Sequence, residues 1–415
     1  MVDYLCSTDD PRSFVVRHNG GPQALHNVVT EDGRHHGFSQ FGSGTFRGIP
    51  TLLSRKTVVA PWGLWNEARH LRELGIEKPL KMVHISGEAL LLTQFHRALR
   101  RYQETQNGHA HGTTGWGVGE AVRLSLANPD QALRVRDVFG SLPNWTSKLM
   151  TLIQELYAID EDLAASIAAR ETPKSVQHRF RAMLAECDIV DHDSENNILA
   201  QDKLVFEGAQ GVLLDEWYGF HPYTTWSTTT FKNVSSLLSE AGSVHATNRM
   251  GVVRSYFTRH GPGPFPSERP LARPEQHNVT SHWMGPFRVG DFDSMLVDYS
   301  LRVCGGVDIL AVTHMDSSPN TVVDRYLWPL NQDWVPLNPC PPDSDLQQEL
   351  SHHLEVATLD FQQELSHHLE VAAPVLATFT FTDWLQNFPE KALSFGPTKD
   401  SKISRSVALD ELFKG

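Results

Sequence analysis

The sequence is poor in cysteine: four in 415 residues, Cys6, Cys187, Cys304 and Cys340, none in a C-x-x-C pair. That excludes a disulfide framework or a cysteine zinc site and leaves reduced thiols of an intracellular protein. No apolar run approaches the ~20 residues that cross a bilayer. Met1 to Asp10 lack the basic-then-apolar layout of a secretory leader, so a cytoplasmic protein without a membrane partner is expected. Positive charge is also scarce: 36 Lys and Arg against 49 Asp and Glu give a net charge of −13. A broad basic face is therefore not expected, nor a nucleic-acid partner, although a local pocket for one nucleotide stays open. Histidine is plentiful at 21. No H-E-x-x-H or comparable ligand spacing occurs, and pairs such as His35-His36 read as ordinary polar residues.

Apolar material, at 40% of residues with 20% charged, suffices for a sizeable core and excludes a disordered or fibrous chain. Phe14 to Arg17, Thr57 to Ala60, Met82 to Ile85, Leu204 to Phe206 and Ile309 to Val312 read as buried strands. Apolarity without alternation is what a parallel sheet covered on both faces requires. Pro61 to Leu74 reads as a helix, with Leu64, Ala68, Leu71 and Leu74 on one stripe and Gly75 closing it. Met150 to Ala169 and Gly87 to Tyr102 read as two more. The expected fold is α/β, a central mostly parallel sheet with helices on both faces.

No linker-like shift in composition precedes about Pro319, which favours one domain over residues 1–415. After the prolines of Asn338 to Asp343, the eleven residues from Gln347 to Ala357 recur unchanged at Gln362 to Ala372. A period of 15 turns a helix by about 60° beyond four turns, so residues 345–375 read as a duplicated helical insert. Its histidines allow a metal cluster; a tandem duplication without chemistry is the simpler account, since solenoids need at least three repeats.

Five segments set glycine beside polar groups. In Arg17-His18-Asn19-Gly20-Gly21-Pro22-Gln23-Ala24-Leu25-His26, paired glycines after a strand suit either a tight turn or a ligand faced by Gln23 and His26. His111 to Gly119, rich in Gly and Thr, suits a phosphate or a loop without a ligand. Phe206-Glu207-Gly208-Ala209-Gln210-Gly211 ends a buried strand, where ligands of open α/β sheets bind, and Gln210 could meet an oxyanion or cap backbone. Tyr223 to Thr230 follows as a hydroxyl cluster. Thr258 to Glu268 is a rigid Pro/Gly loop, and Thr313-His314-Met315-Asp316 ends the Ile309 strand with an aspartate that could read a guanine or cap a helix.

These blocks, in this order, resemble the adenylosuccinate synthetase family: F-E-G-A-Q-G-x-L-L-D, then P-Y-x-T-x-S-x-T-T, then T-R-x-G-x-G-P-F-P-x-E. The likeness runs from Met1 to about Asp316 and returns at Ser394-Phe395-Gly396-Pro397. It implies a homodimeric carbon–nitrogen ligase joining inosine monophosphate to aspartate, with GTP as co-substrate and magnesium as cofactor. A carboxylate base would take the purine N1 proton, the 6-oxygen would attack the γ-phosphate, and the amine of aspartate would displace the phosphate.

By the resemblance, His26 assists phosphoryl transfer and Gln210 lies beside the purine 6-position. Thr114, Thr225 and Gln23, which stands for the usual asparagine, meet the 5′-phosphate. Leu25 replaces a glycine whose carbonyl binds magnesium. Asp316 reads guanine, with His314 in place of a lysine, and Ser394 and Gly396 complete that site. Arg288 keeps one arginine of the dicarboxylate-binding loop, where Gly285 and Phe287 replace two others. The arginine that a second subunit supplies has neighbours here in Arg123, Arg134 and Arg136. The family pattern places a strand and a G-D-E-G-K-G-K loop, with base and lysine, ahead of the helix that Val2 to Leu5 matches. The expectation is thus either a start further upstream or a nucleotide-binding remnant without phosphoryl transfer. A phage-type relative acting on deoxyguanylate is the rival within the class.

Overall fold

The computed structural model describes residues 1–7, 12–106, 108, 112–270, 283–315, 322–330, 333–337, 373–376, 385, 388, 391–394 and 402–404. The copies of the duplicated segment, Asp316 and Gly396 lie outside them. Two compact units form: residues 1–210 with 226–246, and residues 211–225 with 247–415.

The first unit is built on five short parallel strands, in the order Asp188–Val190, Val83–Ser86, Thr51–Leu53, Val15–Arg17 and Val205–Glu207. Successive residues of a strand face opposite ways, and both faces are covered. Leu53, Val83 and Ile85 pack under the helices Pro61–Glu73, Leu142–Ile159 and Pro173–Leu184, through Leu64, Leu71, Trp145, Leu149 and Phe180. Val16, Leu52 and Val190 meet Ile198, Leu199 and Leu237 of two helices on the other side. The α/β architecture with a parallel sheet follows. Each such side chain contributes about 2 kcal/mol by leaving water, and Trp145→Ala would cost about 3–5 kcal/mol.

Two helices differ from the sequence reading. Met150 to Ala169 is split between Leu142–Ile159 and Glu161–Ala168, because the Asp160 carboxylate accepts the Leu163 N–H at 2.8 Å and caps a new helix. Gly87 to Tyr102 is helical only from Gln94, since Leu90–Leu91 pairs as a strand with Val58–Val59. The helix Pro61–Glu73 ends as read: Gly75, at φ +91°, donates to Arg72 O and Ile76 to Leu71 O, two hydrogen bonds across the last turn.

In the second unit Met250–Arg254, Ile309–Thr313 and Lys391–Ser394 run parallel, with Lys402–Ser404 antiparallel beyond them. Phe257–His260 and Phe287–Gly290 form an antiparallel pair. Phe292, Val297, Leu310, Val312 and Met315 make its core, under the helix Ser294–Val303 that Asp293 caps.

Candidate functional site

Strand order in the first unit locates a site before any side chain is considered. From Val15–Arg17 the chain steps outward to Thr51–Leu53 and Val83–Ser86, yet Val205–Glu207 returns to the opposite flank of Val15–Arg17. The order reverses between these two strands, and the carboxyl ends of strands at such a reversal are where open α/β sheets bind ligands. Arg17 pairs in register with Glu207, so Arg17 to His26 and Glu207 to Gln210 leave the sheet side by side.

Asn19 ties the two loops together. Its amide donates to the Ala209 carbonyl at 2.9 Å and accepts the Ala209 N–H at 2.8 Å. Gly20 N–H donates to Ser227 Oγ at 3.0 Å, and Asn233 donates to the His18 carbonyl at 2.9 Å. Held this way, Gly20 faces both glutamines. A Cβ at Gly20 would stand 3.5 Å from Gln23 Nε2 and 3.8 Å from Gln210 Oε1. Gln210 itself has φ +66°, a left-handed backbone that costs a non-glycine residue about 1–2 kcal/mol. Gln23 Nε2, Gln23 Oε1 and Gln210 Oε1 are buried with no hydrogen-bond partner among the described residues. Each such atom costs about 1–3 kcal/mol until something bonds it.

Beside them His26 Nδ1 meets Glu207 Oε1 at 2.5 Å. Glu207 is almost wholly buried and also accepts the Ser43 N–H at 2.9 Å and the Ser43 hydroxyl. Burial alone would raise its pKa; the charges of His26 and Arg17 and the bonds from His26 and Ser43 outweigh it and hold the carboxyl down at about 2. An ionised carboxylate only accepts, so Nδ1 is the donor and Nε2 is left to exchange a proton elsewhere. Below the loop His18 is buried next to Arg17, which pushes its pKa down to about 4 and keeps it neutral. Glu207, Ser43 and Asn19 were not singled out in the sequence; the F-E-G-A-Q-G block contained Glu207 without showing its partner.

Thr114 lies half-buried in the turn before the helix Val118–Ala127. That turn adjoins the glutamines through Val118, whose Cγ2 would meet a Cβ on Gly21 at 3.2 Å, as would Gln23 Oε1 at 3.1 Å. Leu25 is 64% exposed with φ outside the left-handed region, so the backbone does not require the family's glycine there. Arg123 bonds Glu120 and Glu155, and Arg134 and Arg136 bond Glu88, so all three have carboxylate partners within their own unit.

The remaining residues belong to the second unit. Thr225 N–H donates to the Leu214 carbonyl at 2.8 Å. Arg288 is engaged in a two-point pair with Glu268 and donates to the carbonyls of Gly261 and Gly263 at 3.0 and 2.9 Å, stapling the Pro/Gly loop. His314, at φ +61°, and buried Ser394 sit at the carboxyl ends of adjacent parallel strands, as Asn19 and Ala209 do in the first unit. The His314 carbonyl accepts from Ser255 Oγ at 2.6 Å.

The family model for adenylosuccinate synthetase matches residues 1–322. The chain belongs to the adenylosuccinate synthetase family. It is 32% identical over 272 residues to the adenylosuccinate synthetase of Psychromonas ingrahamii, a match covering 65% of this chain and 60% of that protein's length. It is 30% identical over 339 residues to that of Methylibium petroleiphilum, covering 76% and 72%. The fold resembles the fully ligated adenylosuccinate synthetase from Plasmodium falciparum, with TM-score 0.73 and 19% identity over 97% of this chain and 95% of that one. It also resembles the succinoaminodeoxyadenylate synthetase of cyanophage S-2L, bound to dGMP and dATP as an energy donor, with TM-score 0.58 and 16% identity over 99% and 93%. The adenylosuccinate synthetase fold is the common element.

The described residues do not make a magnesium site by themselves. They contain no group of three His, Cys, Asp or Glu side chains able to hold a metal, and Glu207 is occupied by His26 and Ser43. Leu25 contributes a backbone carbonyl alone, whereas magnesium is usually held by one or two carboxylates together with substrate phosphates.

Proposed function

We propose that the chain is a ligase joining inosine monophosphate to aspartate at the expense of GTP to give adenylosuccinate. The observation that carries this reading is the set of three amide atoms of Gln23 and Gln210 around Gly20 that have no partner among the described residues, at the point where strand order reverses. A purine 6-oxo group offers an acceptor and its N1–H a donor, the complement of a primary amide. Gln210 would read that edge, and its strained backbone fixes the amide's direction. Gln23 and Thr114 would hold the 5′-phosphate. His26, with Nδ1–H fixed on Glu207, presents Nε2 to charge building on the transferring phosphoryl group. Such preorganised donors are worth about 3–4 kcal/mol of barrier.

His314 and Ser394, with Asp316 and Gly396, would take the guanine of GTP. Arg288 would reach a carboxylate of the amino donor only by exchanging Glu268 for it. Magnesium would enter with the phosphates. The same reading carries a cytoplasmic homodimer; no helix among the described residues is long and apolar enough to cross a membrane.

Isothermal titration tests the reading. Inosine monophosphate is expected to bind the chain, and Gln210→Ala to weaken it at least tenfold while leaving the melting temperature within a few degrees of wild type. Mass spectrometry of a mixture with GTP and aspartate should then show adenylosuccinate. Binding of deoxyguanylate in place of inosine monophosphate moves the substrate to the phage type; equal affinity of wild type and Gln210→Ala removes the glutamine from the site.

A further inference from the structure

The helix Gln94–Gln106 carries three arginines within five residues, Arg97, Arg100 and Arg101. Side chains four apart on a helix share a face, and like charges so placed repel. Arg100 is neutralised by the buried Glu104, four residues on. Arg97 and Arg101, also four apart, share the other face of this turn. Arg97 meets no carboxylate among the described residues; its Nε is buried without a hydrogen-bond partner and its guanidinium lies 5.5 Å over the Trp116 ring. Arg101 donates from Nε to the Gly115 carbonyl at 3.3 Å. Burial lowers the pKa of both, and the charge of Arg97 lowers that of Arg101 further. Arg123, Arg134 and Arg136 of the same unit are matched to carboxylates. In a chain of net charge −13, Arg97 is thus a cation without an acid among the described residues.

The loop that bears Thr113 and Thr114 is pinned to this face. Gly117, at φ +90°, lies so close that a Cβ would stand 2.6 Å from the His96 carbonyl carbon and 2.8 Å from Arg97 N. Gly115 is tied to Arg101, and Trp116 stacks on Trp62 at 6.0 Å, so Arg97 has a rigid aromatic wall behind it. A guanidinium stacked on one side presents its N–H fork at the edge, the geometry that binds carboxylate and phosphate oxygens in pairs.

We propose that Arg97, with Arg101 beside it, is an oxyanion receptor that takes a small dianion, a phosphate monoester or a dicarboxylate, at the Gly112 to Gly117 loop. The inference rests on the ligase reading only for which dianions the chain would meet, a nucleotide 5′-phosphate and aspartate. Burying Arg97 Nε without a partner costs stability in the empty protein, and a bound dianion that engages this guanidinium offsets that cost.

Titration of the full chain with inosine monophosphate, inosine, succinate and orthophosphate, followed by Trp fluorescence and calorimetry, tests the proposal. Arg97→Gln is expected to leave the melting temperature unchanged or higher and to weaken one dianion at least tenfold; Arg101→Gln does so less. With a phosphate in the receptor, inosine monophosphate is weakened and inosine binds both proteins alike. With a dicarboxylate, succinate is weakened and inosine monophosphate is not. Arg97→Lys, which keeps the charge and loses the fork, gives an intermediate affinity and serves if the glutamine variant unfolds. A chain that binds no purine nucleotide ends the ligase reading while orthophosphate and succinate still decide the receptor. If no dianion, inosine monophosphate included, binds the wild type, or if every dianion that binds it binds Arg97→Gln equally well, the receptor is overturned.

Discussion

Glu207 is a carboxylate with no direct way to water, and its charge persists only because His26, Arg17 and Ser43 surround it. The sign of the resulting pH dependence follows from linkage. Its pKa falls from an ordinary 4.5 to about 2 on folding, so the contribution to stability is complete above about pH 4.5. It is lost as pH falls toward 2, when the unfolded chain binds the proton first. Glu207→Gln should cost about 3 kcal/mol near neutrality by leaving the facing cations uncompensated. It should also flatten the decline between pH 4.5 and 2. Urea midpoints measured across that range check both; an unchanged acid slope in the variant would show that the carboxylate is not the titrating group. The loss of His26 orientation in the same variant predicts a fall in turnover larger than any change in nucleotide affinity.

At the scale of elements, one glycine decides how the threonine loop is seated. Gly117 has both a left-handed φ and no room for a Cβ against the His96 peptide. Gly117→Ala should therefore destabilise by at least about 2 kcal/mol, combining the left-handed cost with overpacking. Nucleotide affinity should weaken too as Thr114 moves. Gly75→Ala, also left-handed but with nothing within 4 Å of its Cβ, is the control and should cost about 1 kcal/mol without touching affinity. Chemical denaturation with a parallel titration separates the two; equal losses at both positions would mean that crowding at Gly117 is immaterial.

Such contacts explain what the sequence made legible. Runs such as Val15-Val16 and Leu310-Ala311-Val312 announced their strands because both faces of a covered parallel strand are apolar. Thr51–Leu53 was missed although it is central, because three residues after a proline carry too short a signal. His26–Val29 and His35–Phe38 form a hairpin whose strands are half polar, and no periodicity marks them. The motif marked the glutamines and His26 as candidates. It did not mark the His26–Glu207 pair, since the two are 181 residues apart and only the sheet register joins them. Arg97 was invisible as an unmatched charge because pairing is a property of packing.

The whole chain carries excess negative charge, yet the proposed ligands are anions, so binding must depend on local groups and not on the overall field. Each of the two units offers such groups at the carboxyl ends of its own parallel strands: Gln23, His26 and Gln210 in the first, His314 and Ser394 in the second. A ligand stabilises the part of a protein it touches and slows local opening there. Hydrogen exchange read by mass spectrometry should therefore separate the two nucleotides. Inosine monophosphate is expected to protect amides of residues 18–26 and 208–211, and GTP those of residues 313–315 and 393–394. Gln210→Ala should erase the first pattern and keep the second. Protection of residues 18–26 by GTP alone would reverse the assignment of the two sites, because a base reader at the end of Ile309–Thr313 cannot slow exchange only in the other unit.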